Sequence, residues 1–373
     1  MLAIKKYLLF VFLIENIMVQ TSLMGSFANP LFYVFLALGL LCLFDFNVWS
    51  GKAIKKFGWM YALMVLYIFY EFVIGPEYIN QKTLLYLLSR IVTFFIIISG
   101  IYYNESFYKG KAITWLILTM SFFLLFGLAS GGFADSTGRM TAGYTNANTA
   151  GSMGAIIVGM VIFYTKNKHW NIINYLCLFA GMFGVLASGS RAGFLMLGML
   201  VFLRYGFNFK TVGLCGLFIL PQFGVETVGI QRMIDTYNGV EGTNRDIERE
   251  AAEWMISQKP LTGWGYQAVN QGKAALISIL ASHNGYLEII KQMGYPCAVI
   301  YFFILASVIL LSLKAVWTKH IQMNIFLAIV LIDLIKANYE ALFVGVHEFG
   351  TNLFFFCLAM VSVQLYNMKH DIR

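Results

Sequence analysis

The chain has 373 residues, of which 59% are hydrophobic, 17% aromatic and only 12% charged. Soluble domains carry roughly 25% charged residues, so this composition excludes a water-soluble globular protein and predicts an all-α integral membrane protein. The formal net charge of +8 is accounted for by membrane topology, which leaves no need for nucleic acid as a partner.

Apolar runs at 7–24, 31–48, 57–74, 84–103 and 112–129 each approach the ~20 residues that carry a helix across ~30 Å of hydrocarbon. Further runs lie at 149–165, 171–188, 192–204, 211–224, 295–313, 321–338 and 349–367, which makes about twelve predicted spans. They are apolar on every face, as lipid-embedded helices are, and lack the period of two that a barrel requires. The first run follows Lys5 and Lys6 without a small-residue cleavage site, so a retained first helix is expected rather than a removable signal peptide. Cys42, Cys177, Cys215, Cys297 and Cys357 fall singly inside predicted spans, where a thiol behaves as a small hydrophobe. Neither a disulfide framework nor a metal site is suggested.

With the N-terminus inside, the inner loops hold Lys5 and Lys6, then Lys52, Lys55 and Lys56, then Lys109 and Lys111, Lys166 and Lys168, Arg204 and Lys210, Lys314 and Lys319, and last Lys369 and Arg373. The outer loops hold little beyond Lys82 and Arg139. This asymmetry follows the positive-inside rule. It predicts two cytoplasmic termini and places Arg191, the 225–283 segment and the surroundings of His347 outside, where neither nucleotide sugar nor ATP is available.

One domain with one large extracytoplasmic loop is therefore expected. Segment 225–283 spans about sixty residues, long for a connection in a compact fold. Within it, 243–258 reads as an amphipathic helix capped by Asn244, with Ile247, Ala251, Trp254 and Met255 at helical spacing. Pro260 ends that helix and LTGWG forms a turn. Residues 285–293 predict a short surface helix, broken by Gly294, Tyr295 and Pro296 before the next crossing.

A charge at a span mouth either faces water or a partner, or snorkels to lipid phosphates, and Arg191 in SRAGFL leaves both readings open. Arg245 suits a solvated helix face as well as a ligand. His283 is one of two outward histidines and starts a helix; it is either merely exposed or a proton acceptor near neutral pH. Together the three suggest more, because two guanidiniums hold a diphosphate bidentately and a nearby base deprotonates an attacking hydroxyl. No Asp-x-Asp pair for a divalent cation occurs, so neither metal nor cofactor is called for. His347 and Glu348 form a competing acid–base candidate. Arg90 is offered either to a phosphate or to Glu71, and the intramembrane Glu15, Asp333, Lys336 and Glu340 are expected to pair or to face a cavity. Arg139 is placed near the site, and Tyr266 and Tyr286 are candidates for stacking on sugars.

Four places resemble the superfamily of O-antigen ligases and Wzy-type polysaccharide polymerases, envelope glycosyltransferases of the GT-C-like polytopic kind. GYTNANTA at 143–150, containing Asn148, is similar to the family's Gly-aromatic-x-Asn-x-Asn segment. SRAGFL at 190–195 resembles its Ser-Arg element, Arg245 ahead of Pro260, Gly263 and Gly265 its loop arginine, and His283-Asn284 with Gly294 its His-Asn…Gly element. The chain departs from the pattern at Arg249, where many members have Trp; the spacing to Pro260 favours Arg245 over Arg249 as the phosphate ligand.

The resemblance implies a multi-pass protein of the bacterial cytoplasmic membrane. It would transfer an undecaprenyl-diphosphate-linked oligosaccharide to a hydroxyl acceptor with inversion and without a metal. Arg191 and Arg245 would bind diphosphate, and His283 would act as base or position the acceptor. The favoured expectation is a polymerase joining lipid-linked repeat units, with membrane lipid and a chain-length regulator protein as further partners. The alternatives are a ligase moving polymer onto lipid A core and, from another class, a flippase for lipid-linked sugars. A flippase predicts internal repeats and polar residues reachable from both faces; no repeat is evident, and the candidate residues lie on one face.

Overall fold

A computed structural model of the protein describes residues 2–22, 24–129, 139–164, 171–209, 211–213, 244–266 and 282–371. Its helices are α1 (Leu2–Val19), α2 (Gly25–Leu43), α3 (Gly51–Phe69), α4 (Gln81–Lys109), α5 (Lys111–Ala129), α6 (Ala147–Tyr164), α7 (Ile172–Ser188), α8 (Arg191–Tyr205), α9 (Asn244–Gln258), α10 (Gly285–Trp317), α11 (Ile325–Lys336) and α12 (Phe349–Asp371). No strand is found among the described residues; an isolated bridge joins Thr21 and Tyr144.

Among the described residues, six segments are long and apolar enough to cross a membrane: Gly25–Leu43, Gly51–Ile74, Gln81–Lys109, Ala147–Tyr164, Gly285–Trp317 and Phe349–His370. Lys111–Gly127 and Ile172–Ser188 are shorter apolar helices. The protein is thus a multi-pass membrane protein. Most of the expected crossing at 211–224 and most of the 225–283 segment lie outside the described residues. One expected crossing is shorter than its apolar run: within 321–338 the helix is only the 12 residues of α11. That length is about 18 Å at the rise of an α-helix, less than the ~30 Å of hydrocarbon, so α11 ends inside the bundle and delivers Lys336 and Glu340 there.

Contacts at the helix tips define two ends of the bundle. At one end, Ser22 donates its backbone N–H to Gly143 (2.9 Å) and Gly285 donates to Ala337 (2.7 Å). This loop end gathers the α3–α4, α5–α6, α7–α8 and α11–α12 connections with α9. At the opposite, basic end, Lys5 pairs with Asp45 (2.8 Å) and Lys56 with Glu105 (3.3 Å).

The core runs between the ends, and α6 is buried along nearly its whole length. Small residues permit this. A Cβ on Gly154 would lie 2.5 Å from the Gly181 carbonyl oxygen of α7, so the two backbones meet where larger residues would hold them apart. Such small-residue contacts suit helices in lipid, where hydrophobic burial alone does not bring helices together.

Candidate functional site

The loop helix is anchored to the start of α10. Its buried face is Glu248, Ala251, Ala252, Met255 and Ile256, whereas Ile247 is 45% exposed. The face therefore falls one residue later than the sequence spacing suggested. After Pro260 the chain turns back, and three backbone bonds stitch it to α10: Trp264 donates to Lys291 (2.9 Å), Gly265 to Gln292 (3.0 Å) and Tyr295 to Pro260 (2.7 Å). Tyr70 completes the clasp from the π-turn that ends α3, donating to Gln292 (2.5 Å) or Thr262 (2.9 Å) and accepting from the Gly265 amide (3.0 Å).

Three glycines make this geometry possible. Gly263, Gly265 and Gly294 have φ of +67°, +84° and +70°, the left-handed region that side chains disfavour. Added Cβ atoms at Gly263 and Gly294 would lie 2.4 Å from the Gln292 oxygen and 2.3 Å from the Leu261 oxygen. The kink at Gly294 divides α10 into Gly285–Met293 and a membrane-crossing remainder, the break expected from Gly-Tyr-Pro. Lys259 pairs with Glu77 (3.0 Å) and ties the far end of α9 to the α3–α4 connection. Hydrogen bonding from Tyr78, and then from Lys259, holds the Glu77 carboxyl below its usual range.

His283 immediately precedes the helix cap. Asn284 caps α10 by accepting from the Tyr286 and Leu287 amides (both 3.0 Å). A buried ion pair fixes the preceding residue: Glu288 accepts from Lys291 (2.7 Å) and from the Ser282 amide (2.9 Å). The His283 ring is thereby presented 53% exposed, with its Nε2 3.8 Å from Oε1 of Glu248, whose side chain is 3% exposed. A carboxylate beside an imidazole can set the orientation of the ring. Arg245 lies in the first turn of α9, three residues before Glu248. Arg249 occupies the outer face, 67% exposed and paired with Glu253 (2.6 Å).

Arg191 is the first residue of α8. Gly189, at φ +57°, ends α7, and Ser190 caps α8 by accepting from the Gly193 amide (3.1 Å). Arg191 is half-buried beside a helix N-terminus, where unpaired amides and the dipole favour an anion. Ser190 packs on Gly151 of α6. The adjacent Ser152 lines a cavity of about 30 Å³ together with Gln20, Thr149, Lys336, Glu340 and Glu348, enough for water. Lys336 pairs with Glu340 (2.9 Å), and Glu348 accepts from Thr351 (2.9 Å). The Glu340 and Ala337 carbonyls in turn accept from the Gly285 amide (3.0 and 2.7 Å). A continuous series of contacts thus links the α8 start, the α6 start, the α11 end and the residues beside His283.

His347 is turned inward. Its Nε2 lies 2.5 Å from Glu15 Oε1 and its ring stacks on Phe32 at 4.0 Å, while Asn352 donates to Asn16 (2.8 Å). Arg90 is fully buried, and its Nη2 donates to the carbonyls of Phe343, Val344 and Gly345 (3.0–3.1 Å). It therefore fixes the segment leading into His347 and Glu348. Arg139 donates to Asn148 (3.1 Å) at the start of α6.

The two tyrosines offered to sugars are both engaged. Tyr266 is 2% exposed, stacked on Tyr86 at 5.0 Å and bonded to Tyr67 (2.9 Å); this buried ring has no free face for a ligand, which corrects that expectation. Tyr286 spends its hydroxyl on Leu334 (2.6 Å).

Sequence reasoning missed Glu248. The signal was present, because positions 248, 251, 252 and 255 follow the i, i+3, i+4, i+7 pattern of an inward stripe, and an acid on such a stripe is informative.

Residues 173–302 match the O-antigen ligase family model, a span that includes Arg191, Arg245, Glu248, His283 and Gly294. The match supports the superfamily resemblance and an enzymatic role in polysaccharide biosynthesis. No curated protein matches the chain.

Proposed function

We propose that the protein joins lipid-linked glycan repeat units at the loop end of the bundle, on the extracytoplasmic side of the bacterial cytoplasmic membrane. The observation carrying this reading is the docking of α9 on α10, which sets the buried Glu248 beside His283 and places Arg245 one turn away on the same helix. Arg191 at the start of α8 and Arg245 would hold the undecaprenyl diphosphate of the donor. His283, oriented by Glu248, would accept the proton of the acceptor hydroxyl as it attacks the anomeric carbon from the face opposite the diphosphate. The C–O bond to diphosphate breaks as the glycosidic bond forms, inverting the centre. The diphosphate departs with its charge balanced by arginine, so the proposed step requires no metal.

The family match supports equally a second reading as a ligase, which would transfer finished polymer to a lipid A core. Surface glycans of a deletion strain separate the two. A single repeat unit on core supports the polymerase, and long polymer lacking core supports the ligase. An unaltered glycan profile would overturn both.

A further inference from the structure

A second cavity, of about 620 Å³, opens at the basic end between α3, α10 and α12. It is far from the loop end along the same three helices, and the catalytic reading leaves it without a role. Its wall has two chemistries. Gly58, Phe303, Leu311 and Leu365 supply an apolar surface, and Lys55, Lys314 and Lys369 supply ammonium groups at the end nearest the water. No acidic residue lines it among the described residues. The three lysines are exposed and make no side-chain ion pair among those residues, unlike the neighbouring Lys56, which is paired with Glu105 (3.3 Å). The apolar depth is open space: a Cβ added to Gly58 would meet nothing within 4 Å.

We infer that this cavity is a binding site for an anionic glycerophospholipid, with acyl chain along Gly58 and Phe303 and phosphate among Lys55, Lys314 and Lys369. The volume lies within the roughly 300–1,000 Å³ of ligand pockets. Basic pockets between membrane helices at the positive end are where anionic headgroups bind. Charge complementarity selects the occupant: a zwitterionic lipid brings a cation of its own into a group of three, whereas a phosphatidylglycerol phosphate brings none. The lipid would stand between helices whose other ends carry Tyr70, the His283 segment and Glu348, so its presence sets their spacing.

The test is lipid retention by the purified full-length protein in detergent, measured by native mass spectrometry during titration with phosphatidylglycerol or phosphatidylcholine. The wild type should hold phosphatidylglycerol at least about tenfold more tightly than phosphatidylcholine. The triple variant Lys55→Gln/Lys314→Gln/Lys369→Gln should lose that preference. Gly58→Leu fills the apolar depth with all charges intact and should lower retention of both lipids. Equal binding of the two lipids by the wild type, or unchanged phosphatidylglycerol binding in both variants, overturns the assignment. So does tighter retention of undecaprenyl phosphate than of phosphatidylglycerol when it is titrated as a third lipid, which would make the occupant the carrier lipid. None of these readouts depends on transferase activity, so the site and the catalytic proposal fail independently.

Discussion

At the scale of single residues, the pair of Glu248 and His283 combines a carboxylate 3% exposed with an imidazole 53% exposed. The carboxylate is shielded while the ring meets water, the arrangement a base needs if it is to be held on one side and reach substrate on the other. At 3.8 Å the pair is longer than a hydrogen bond, and closing of the site on substrate would shorten it. Replacing Glu248 with Gln keeps the shape and removes the charge. Glycan polymerisation by Glu248→Gln should fall about tenfold to a hundredfold, the usual cost of losing a group that orients a functional histidine, with the membrane level of the protein unchanged. Glu248→Asp should recover part of it. Wild-type rates in Glu248→Gln, measured on equal amounts of protein, would show that the two side chains are neighbours without a shared task.

At the scale of elements, the glycines that resemble a family motif turn out to be backbone devices. Gly263, Gly265 and Gly294 let the Pro260–Tyr266 turn lie against the kink of α10, and Tyr70 fastens the seam. Gly294→Ala combines left-handed φ with a Cβ 2.3 Å from the Leu261 oxygen. It should destabilise the docking of α9 by about 1–3 kcal/mol. Limited proteolysis in membranes reads this directly: the 244–266 segment should be cut several-fold faster than in the wild type, with the spans still protected. Equal cutting would mean that the clasp does not hold the loop helix. The break at Gly-Tyr-Pro was legible because those residue types interrupt helices wherever they occur. Glu248 escaped notice because acids near a helix start suit the dipole whichever way they face, and Asp246, Glu248 and Glu250 follow one another at alternate positions there. Arg90 was legible as an intramembrane charge but its partners were not: it bonds neither Glu71 nor a phosphate but carbonyls more than 250 residues away, which no local pattern announces.

At the scale of the whole molecule, apolar length and lysine placement made most helices readable from composition alone. α11 did not follow, because its run of apolar residues continues past the point where Lys336, Asn338 and Glu340 turn the chain back. The result is a bundle with a polar, loop-covered end and a basic end. The central claim is that the first of these transfers glycan from a lipid diphosphate, with His283 as its base. The most direct measurement uses the purified protein reconstituted in lipid with an undecaprenyl-diphosphate-linked repeat unit, following glycan length and released undecaprenyl diphosphate together. The account predicts one diphosphate released for each new glycosidic bond, and loss of both products in His283→Ala. Elongation that persists unchanged in His283→Ala, or glycan joined without diphosphate release, would contradict it.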